Sequence, residues 1–223
     1  MCSQVSKWWN DDRIMWYKRA AENSSFHKSI SSYISRYITS DESIAELGCG
    51  LGYFTNEMDM RGYQINGYDI DNDAISFARN NFKKNIYTLK DCFSSDISAD
   101  IAICIFFGKI THNDNFEKLS NIARKKLIYI TGGGSERHIP TCEIDTFLKD
   151  RNTEFEKEET TIPFHQPFID LDEAEQFLST YYKGTSLEGK RRMIHPTEDE
   201  RYRYILENNK KLTIYIIQKG GNE

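Results

Sequence analysis

The sequence predicts an α/β fold: a three-layer, doubly wound, mostly parallel seven-stranded sheet that ends in an antiparallel hairpin. Three observations predict it. Short β-type runs alternate with amphipathic helical ones, the pattern of a parallel sheet flanked by helices. A glycine-rich turn, Gly48-Cys49-Gly50-Leu51-Gly52, follows the first of those runs directly and leads into a helix. Near the C-terminus two β-rich runs flank an Asn-rich segment, as in a hairpin.

Each element has its own signal. Ser24 or Ser25 caps a helix whose apolar positions Phe26, Ile30, Tyr33, Ile34, Tyr37 and Ile38 share one face of a 3.6-residue period. The first strand is Ser43–Leu47, and a helix carrying Phe54 and Met58 follows the glycine turn. The second strand, Gln64–Tyr68, precedes a helix with Ile75, Ala78 and Phe82; the third is short, Ile86–Leu89. The fourth, Ile101–Phe106, is apolar throughout and so belongs where both faces are covered. Helix 115–124 and strand Leu127–Ile130 complete a fifth unit, stopped by Gly132-Gly133-Gly134. Beyond it come a helix near Glu143–Lys149, the extended stretch Phe155–Ile162, a loop bracketed by Pro163 and Pro167, and a helix at Asp172–Tyr181. The hairpin pairs Tyr202–Leu206 with Leu212–Ile217 across Glu207–Lys211.

The bulk numbers narrow the function. A chain of 223 residues, 39% hydrophobic and 28% charged, is long enough for one α/β domain with a small cap and is composed like a soluble protein. The longest apolar run, Ile101–Phe107, is strand-sized, far below the roughly 20 residues that cross a bilayer. The first nine residues lack the apolar core of a signal peptide. Five cysteines without regular spacing read as reduced thiols of a cytoplasmic protein rather than a disulfide framework. A net charge of −5 argues against broad nucleic-acid binding, which needs many cationic phosphate contacts. Lys190-Arg191-Arg192 is balanced by Glu198-Asp199-Glu200 and reads as a solvated loop.

The main chemical signal is the glycine turn. Where a parallel strand passes directly into a helix, a ligand rests on bare backbone only if side chains are absent, and Gly48, Gly50 and Gly52 meet that condition. Asp69 closes the second strand about 20 residues later, where a carboxylate can accept hydrogen bonds from both hydroxyls of a ribose. Asp71 or Asn72 is free to cap the following helix, which leaves Asp69 for the ligand. A dinucleotide fingerprint needs a third glycine where Tyr53 stands, and no Gly-Lys-Ser/Thr of a P-loop follows. The spacing G-x-G-x-G fits a nucleoside ligand without a pyrophosphate.

From Ile44 to Leu89 the chain resembles class I S-adenosylmethionine (SAM)-dependent methyltransferases, which are Rossmann-like. Glu46-Leu47-Gly48-Cys49-Gly50-Leu51-Gly52 is similar to their first motif, and Gly67-Tyr68-Asp69-Ile70-Asp71 to their acidic second one. The resemblance implies SAM as cofactor and S-adenosylhomocysteine (SAH) as product. The glycine loop with Cys49 would lie under the methionine part, and Glu46 would hold that loop and meet the amino group. Asp69 would take the ribose, Ile70 the adenine face, and Asp91 with Cys92 the adenine edge. Phe106 would end the fourth strand beside the sulfonium and the acceptor. In the same terms, residues 1–40 form an N-terminal helical cap or lid and 41–131 the SAM-binding core. Residues 132–170 are an inserted substrate-side segment, and 171–223 complete the domain with the last helix and hairpin.

Methyl transfer from a sulfonium needs alignment and a dry site more than a strong acid. A base matters only for an acceptor that carries its proton at working pH. His112 and His138 follow the fourth and fifth strands at the C-terminal sheet edge, where open α/β sheets bind ligands; His165 lies in the proline-bracketed loop. Tyr17, in the aromatic-rich N-terminal segment, can close over the site. These are the catalytic candidates. No Asn/Asp-Pro-Pro-aromatic motif follows the fourth strand (Phe106-Phe107-Gly108 stands there), and no cluster of histidines and carboxylates suggests a metal. The expected partner is a small-molecule acceptor, with a peptide or protein side chain second, no nucleic acid and no membrane, on a monomer or homodimer. Two rival readings are a non-catalytic SAM sensor or assembly protein and a nucleotide-cofactor oxidoreductase.

Overall fold

The structure, a computed structural model, describes residues 8–93, 96–112, 114–132 and 140–219. The chain begins with α1 (Asp11–Glu22) and α2 (Phe26–Ile34), then β1 (Ser43–Leu47), α3 (Tyr53–Met60), β2 (Gln64–Asp69), α4 (Asn72–Phe82) and β3 (Tyr87–Leu89). Next come β4 (Ala99–Ile105), α5 (Asn115–Ile122), β5 (Ala123–Gly132), α6 (Thr141–Asp150) and β6 (Phe155–Pro163). The last third holds β7 (Gln166–Phe168), α7 (Leu171–Tyr181), α8 (Leu187–Arg191), β8 (Ile194–Pro196), β9 (Tyr204–Leu206) and β10 (Asn209–Gln218).

Seven strands form one sheet in the order β3-β2-β1-β4-β5-β10-β6. The first five run parallel, and β10 is antiparallel to both β5 and β6. The chain moves outward from β1 to β2 and β3, then crosses to β4 on the other side of β1. That reversal opens a crevice beyond the C-terminal ends of β1 and β4.

Alternation along the strands sorts the core into two layers. Ala45, Leu47, Ala102, Cys104, Leu127 and Tyr129 face α5 and α6. Ile44, Ile65, Ile101, Ile103, Ile128 and Ile130 face α2 and α3, through Phe26, Ile30, Ile34, Phe54 and Met58. Glu46 lies on the second face too, two positions from Ile44, which is why a carboxyl is buried there.

The structure corrects the expected hairpin. Tyr202–Leu206 does not pair with Leu212–Ile217; β9 joins β7 and β8 in a separate three-stranded sheet, and β10 pairs with β6. Residues 212–217 are all buried, and a strand apolar on both faces belongs inside a sheet with neighbours on each side. The nine residues of β6 supply that second neighbour along the full register from Asn209↔Pro163 to Ile217↔Phe155. Residues 164–208 are thereby inserted between two adjacent strands. The helix expected through Ile38 ends earlier, at Ile34, and a 3-10 turn follows over Ser35–Tyr37.

The insert has its own small core of Phe168, Ala174, Leu178, Ile194 and Leu206, and it packs on α1. That helix starts at Asn10, whose side chain accepts from Arg13 N at 2.9 Å. Gln166 Nε2 donates to Trp16 O at 3.1 Å, and the Trp16 ring meets Phe177 edge-on at 5.2 Å. Arg19 and Glu173 form an ion pair at 2.5 Å with side chains only 10% and 12% exposed. Removing one partner of such a pair leaves a buried charge, at a cost of about 3–5 kcal/mol. Arg19→Met should therefore lower stability by about 3 kcal/mol in urea unfolding; a loss below about 1 kcal/mol would mean that the pair behaves as a solvated one.

Candidate functional site

The turn after β1 uses left-handed backbone at Gly48, Gly50 and Gly52, with φ of +74°, +51° and +78°, which residues with a side chain adopt only at a cost. Gly48 N and Cys49 N both donate to Tyr68 O, at 2.8 and 2.9 Å, so the turn is stitched to the end of β2. Asp69 adds a third stitch: its Oδ2 accepts from Gly50 N at 2.8 Å and its Oδ1 from Asp71 N at 2.9 Å. Each oxygen keeps accepting capacity after one such bond. Burial raises the pKa of Asp69, partly offset by the bonds from Asp71 and Gly50. Asp71 caps α4, with Oδ1 accepting from Asp73 N and Ala74 N, so Asp69 is not the cap.

The three glycines play different parts. A Cβ on Gly52 would stand 2.6 Å from the Tyr87 ring and 2.9 Å from Ala78, so its bare Cα serves packing inside the protein. A Cβ on Gly48 would strike the Phe107 ring at 2.4 Å, and one on Gly50 would lie 3.2 Å from Trp9. Two aromatic rings therefore rest on the loop. Trp9 belongs to the aromatic-rich N-terminal segment expected to close over the site.

Beneath the loop lie three protonated groups. Burial pushes the Glu46 carboxyl up to about 8, against the Thr55 hydroxyl that donates to its Oε2, and the Asp69 charge raises it further. Burial also pushes the Cys92 thiol up to about 12, where Sγ accepts from Gly48 N at 3.1 Å and donates to Tyr68 O at 3.3 Å. Cys49 is raised well above the usual thiol range by burial and by Glu46. Neither thiol is set up as a nucleophile.

Beside Asp69 the surface turns apolar. Ile70 is 47% exposed and Leu89, the register partner of Asp69 on β3, is 46% exposed. Asp91 follows, exposed, with Oδ1 accepting from Phe93 N at 2.9 Å.

On the other side of the loop the rings form a continuous wall. Trp9 meets Tyr17 edge-on at 5.4 Å, and the Tyr17 hydroxyl shares a 2.9 Å hydrogen bond with His27 Nε2. His27 stacks on Tyr53 at 5.3 Å, and Phe164 packs on Phe26 at 4.6 Å and on Tyr17 at 5.4 Å. Phe106 completes the wall, nearly parallel to Phe26 at 6.4 Å. It is 40% exposed, with φ of +54°, a conformation held against its preference by the surrounding structure. Burial lowers His27 to about 3 and, with Glu46, raises Tyr17 above the usual phenol range. Both are neutral near pH 7.

The remaining candidates stand apart from this wall. His112 is exposed in the turn after β4, its backbone bonded to Lys109 O and Asn115 N. His165 accepts from Asn208 N at 3.0 Å through Nδ1 and holds the start of β10. His138 lies outside the described residues. Among the described residues no group of three metal-ligating side chains gathers. His27, Phe164 and Leu89 were not singled out from the sequence; Leu89 alone had a signal, the exposed end of a short strand beside Ile70.

Residues 45–126 match the family model of a methyltransferase domain, and domains of this kind use SAM. No curated protein matches the chain in sequence. Among solved structures it is similar to the magnesium protoporphyrin IX methyltransferase of Synechocystis, solved with SAM bound, at 11% identity and TM-score 0.55 over 95% of this chain and 85% of that one. It is similar to a TehB-like SAM-dependent methyltransferase of Corynebacterium glutamicum at 13% identity and TM-score 0.56, over 93% and 96% of the two chains. A candidate RNA methyltransferase of Pyrococcus horikoshii matches at 14% identity and TM-score 0.56, over 87% and 84%. At these identities the likeness shows the fold, the Rossmann-like one of methyltransferases.

The two uses of glycine are separable. Gly52→Ala adds crowding to left-handed strain and should cost about 2–4 kcal/mol. Gly62→Ala, with φ of +88° and nothing within 4 Å of its Cβ, should cost about 1 kcal/mol. Equal losses in urea melts would show that Gly52 is not packed as described.

Proposed function

We propose, from the methyltransferase domain that residues 45–126 match, that the protein binds SAM at the mouth of β1 and transfers its methyl group to an oxygen or nitrogen of a small-molecule acceptor. One observation carries this reading: the Asp69 carboxylate at the strand-order reversal, bonded to Gly50 N with accepting capacity left over. Its remaining lone pairs suit a ribose diol. The exposed Ile70 and Leu89, with Asp91 behind them, suit an adenine ring and its amino edge. Cys49 and Gly50 give the methionine part backbone to lie on, Gly48 shapes the turn beneath the Phe107 ring, and the buried Glu46 gives its ammonium a partner.

When bound, the cofactor supplies an electrophilic methyl carbon that the acceptor's lone pair attacks while the C–S electron pair returns to sulfur. The chain supplies alignment and exclusion of water. Tyr17, Phe106 and Phe164 form the acceptor's wall, backed by the buried Phe26, and orientation of this sort is worth on the order of 7–11 kcal/mol. Tyr17 keeps its proton near neutrality, so it holds an acceptor by hydrogen bonding rather than by deprotonating it. Where the acceptor carries a proton, His112 or His138, on the loops beyond β4 and β5, takes it. The buried free thiols Cys49, Cys92 and Cys104 support a cytoplasmic setting, and no helix among the described residues is long and apolar enough to cross a membrane.

Asp69→Ala should weaken SAM binding about tenfold or more, since charged hydrogen bonds are worth roughly 1.5–3 kcal/mol each. It should also abolish transfer of labelled methyl groups from SAM into small molecules of a cell extract. Calorimetric affinity equal to wild type contradicts the ribose role; tight binding without any labelled product makes the protein a SAM sensor instead.

Affinity should also depend on pH. Glu46 is protonated below about 8, and a cationic ligand favours its carboxylate, so binding in that range expels a proton. SAM affinity should rise between pH 6 and 8, by at most about tenfold per unit, then level off. Glu46→Gln should flatten the rise, and a flat wild-type profile would place Glu46 out of reach of the ligand's charge.

A further inference from the structure

We infer that residues 8–10 are a gate over the glycine loop, and that the Trp9 indole competes with the cofactor for one face of Gly50. This rests on the SAM reading above. A Cβ built on Gly50 would lie 3.2, 3.7 and 3.8 Å from three atoms of the indole. The ring already crowds the place of a single added carbon on Gly50, so no further ligand atom fits between the two. A ligand lying on that face displaces the ring.

The strap is held by reversible contacts. Trp9 N donates to Asp71 Oδ2 at 3.2 Å, and the indole meets Tyr17 edge-on. Arg13 Nη1 donates to Trp8 O at 2.6 Å, with its guanidinium 4.5 Å from the Trp8 ring centroid. The helix that follows is fixed separately, by the bonds of Trp16 and Arg19 to the insert. Asn10, extended at φ −135° and ψ 173°, is the joint between them. The strap can lift there while α1, and Tyr17 on it, stays docked.

Asp71 makes this testable without touching the indole. Its Oδ1 caps α4 and its Oδ2 accepts from Trp9 N. Asp71→Asn keeps a cap oxygen and replaces the strap's acceptor with an amide donor. Apparent affinity scales with the fraction of molecules in the open state, so loosening the strap tightens binding.

The experiment is calorimetry and stopped-flow binding of SAH to the whole chain as wild type, Trp9→Ala, Asp71→Asn and Asp69→Ala. Trp9→Ala and Asp71→Asn should each bind SAH about three- to tenfold tighter, with faster association and ligand-free melting close to wild type. If Trp9→Ala does not fold, Asp71→Asn carries the same test. Affinity unchanged or weaker in the folded variants, with binding weakened about tenfold or more in Asp69→Ala, overturns the gate and leaves the cofactor reading standing. Binding of SAH to none of the four chains removes both.

Discussion

The hydrogen bond from Gly50 N to Asp69 Oδ2 fastens a glycine-rich turn to the neighbouring strand, and the rest of the site is arranged around it. Three glycines in five residues leave a turn free to take many shapes, so holding one of them costs conformational entropy. Here the end of β2 holds the turn, through Tyr68 O and Asp69. Drawing a carboxylate into this position also sets the local electrostatics. Burial raises both Glu46 and Asp69, the Asp69 charge raises Glu46 further, and both carboxyls raise Cys49. The space beneath the glycine turn thus holds acidic groups where burial and neighbouring carboxylates disfavour negative charge.

α1 joins the two halves of the molecule. One face turns Trp16, Arg19 and Ala20 inward, where Trp16 and Arg19 engage the insert. Tyr17 turns the other way, toward His27, Phe164 and Trp9. Whatever shifts the insert therefore reaches the aromatic wall through α1 and through Phe164, the insert's own first residue.

What could be read from the sequence is what neighbouring residues encode. The glycine turn, the acid that closes β2, the cap at Asp71 and the apolar face of α2 are each written within a few positions. The pairing of β10 is not. Two β-rich runs lay within reach of it, and the deciding fact is that residues 212–217 are buried on both faces, which calls for the longer partner β6. The aromatic wall is non-local in the same way, since Trp9, Tyr17, His27, Phe106 and Phe164 come from four separate stretches that no spacing rule connects. Gly52 shows the limit within a motif: it matches the pattern of its neighbours, yet Tyr87 and Ala78 fill its space.

Pro163 and Asn209 are partners in the same strand pair, so the chain leaves the sheet and returns to it at one point. A segment whose two ends already touch adds little closure entropy whatever its length. The sheet is indifferent to how many residues lie between those points, and the 164–208 excursion behaves as a side branch on a finished scaffold. A branch of this kind can be shortened, enlarged or exchanged while the glycine turn and Asp69 keep their places, and its proper limit is the footing it gives α1.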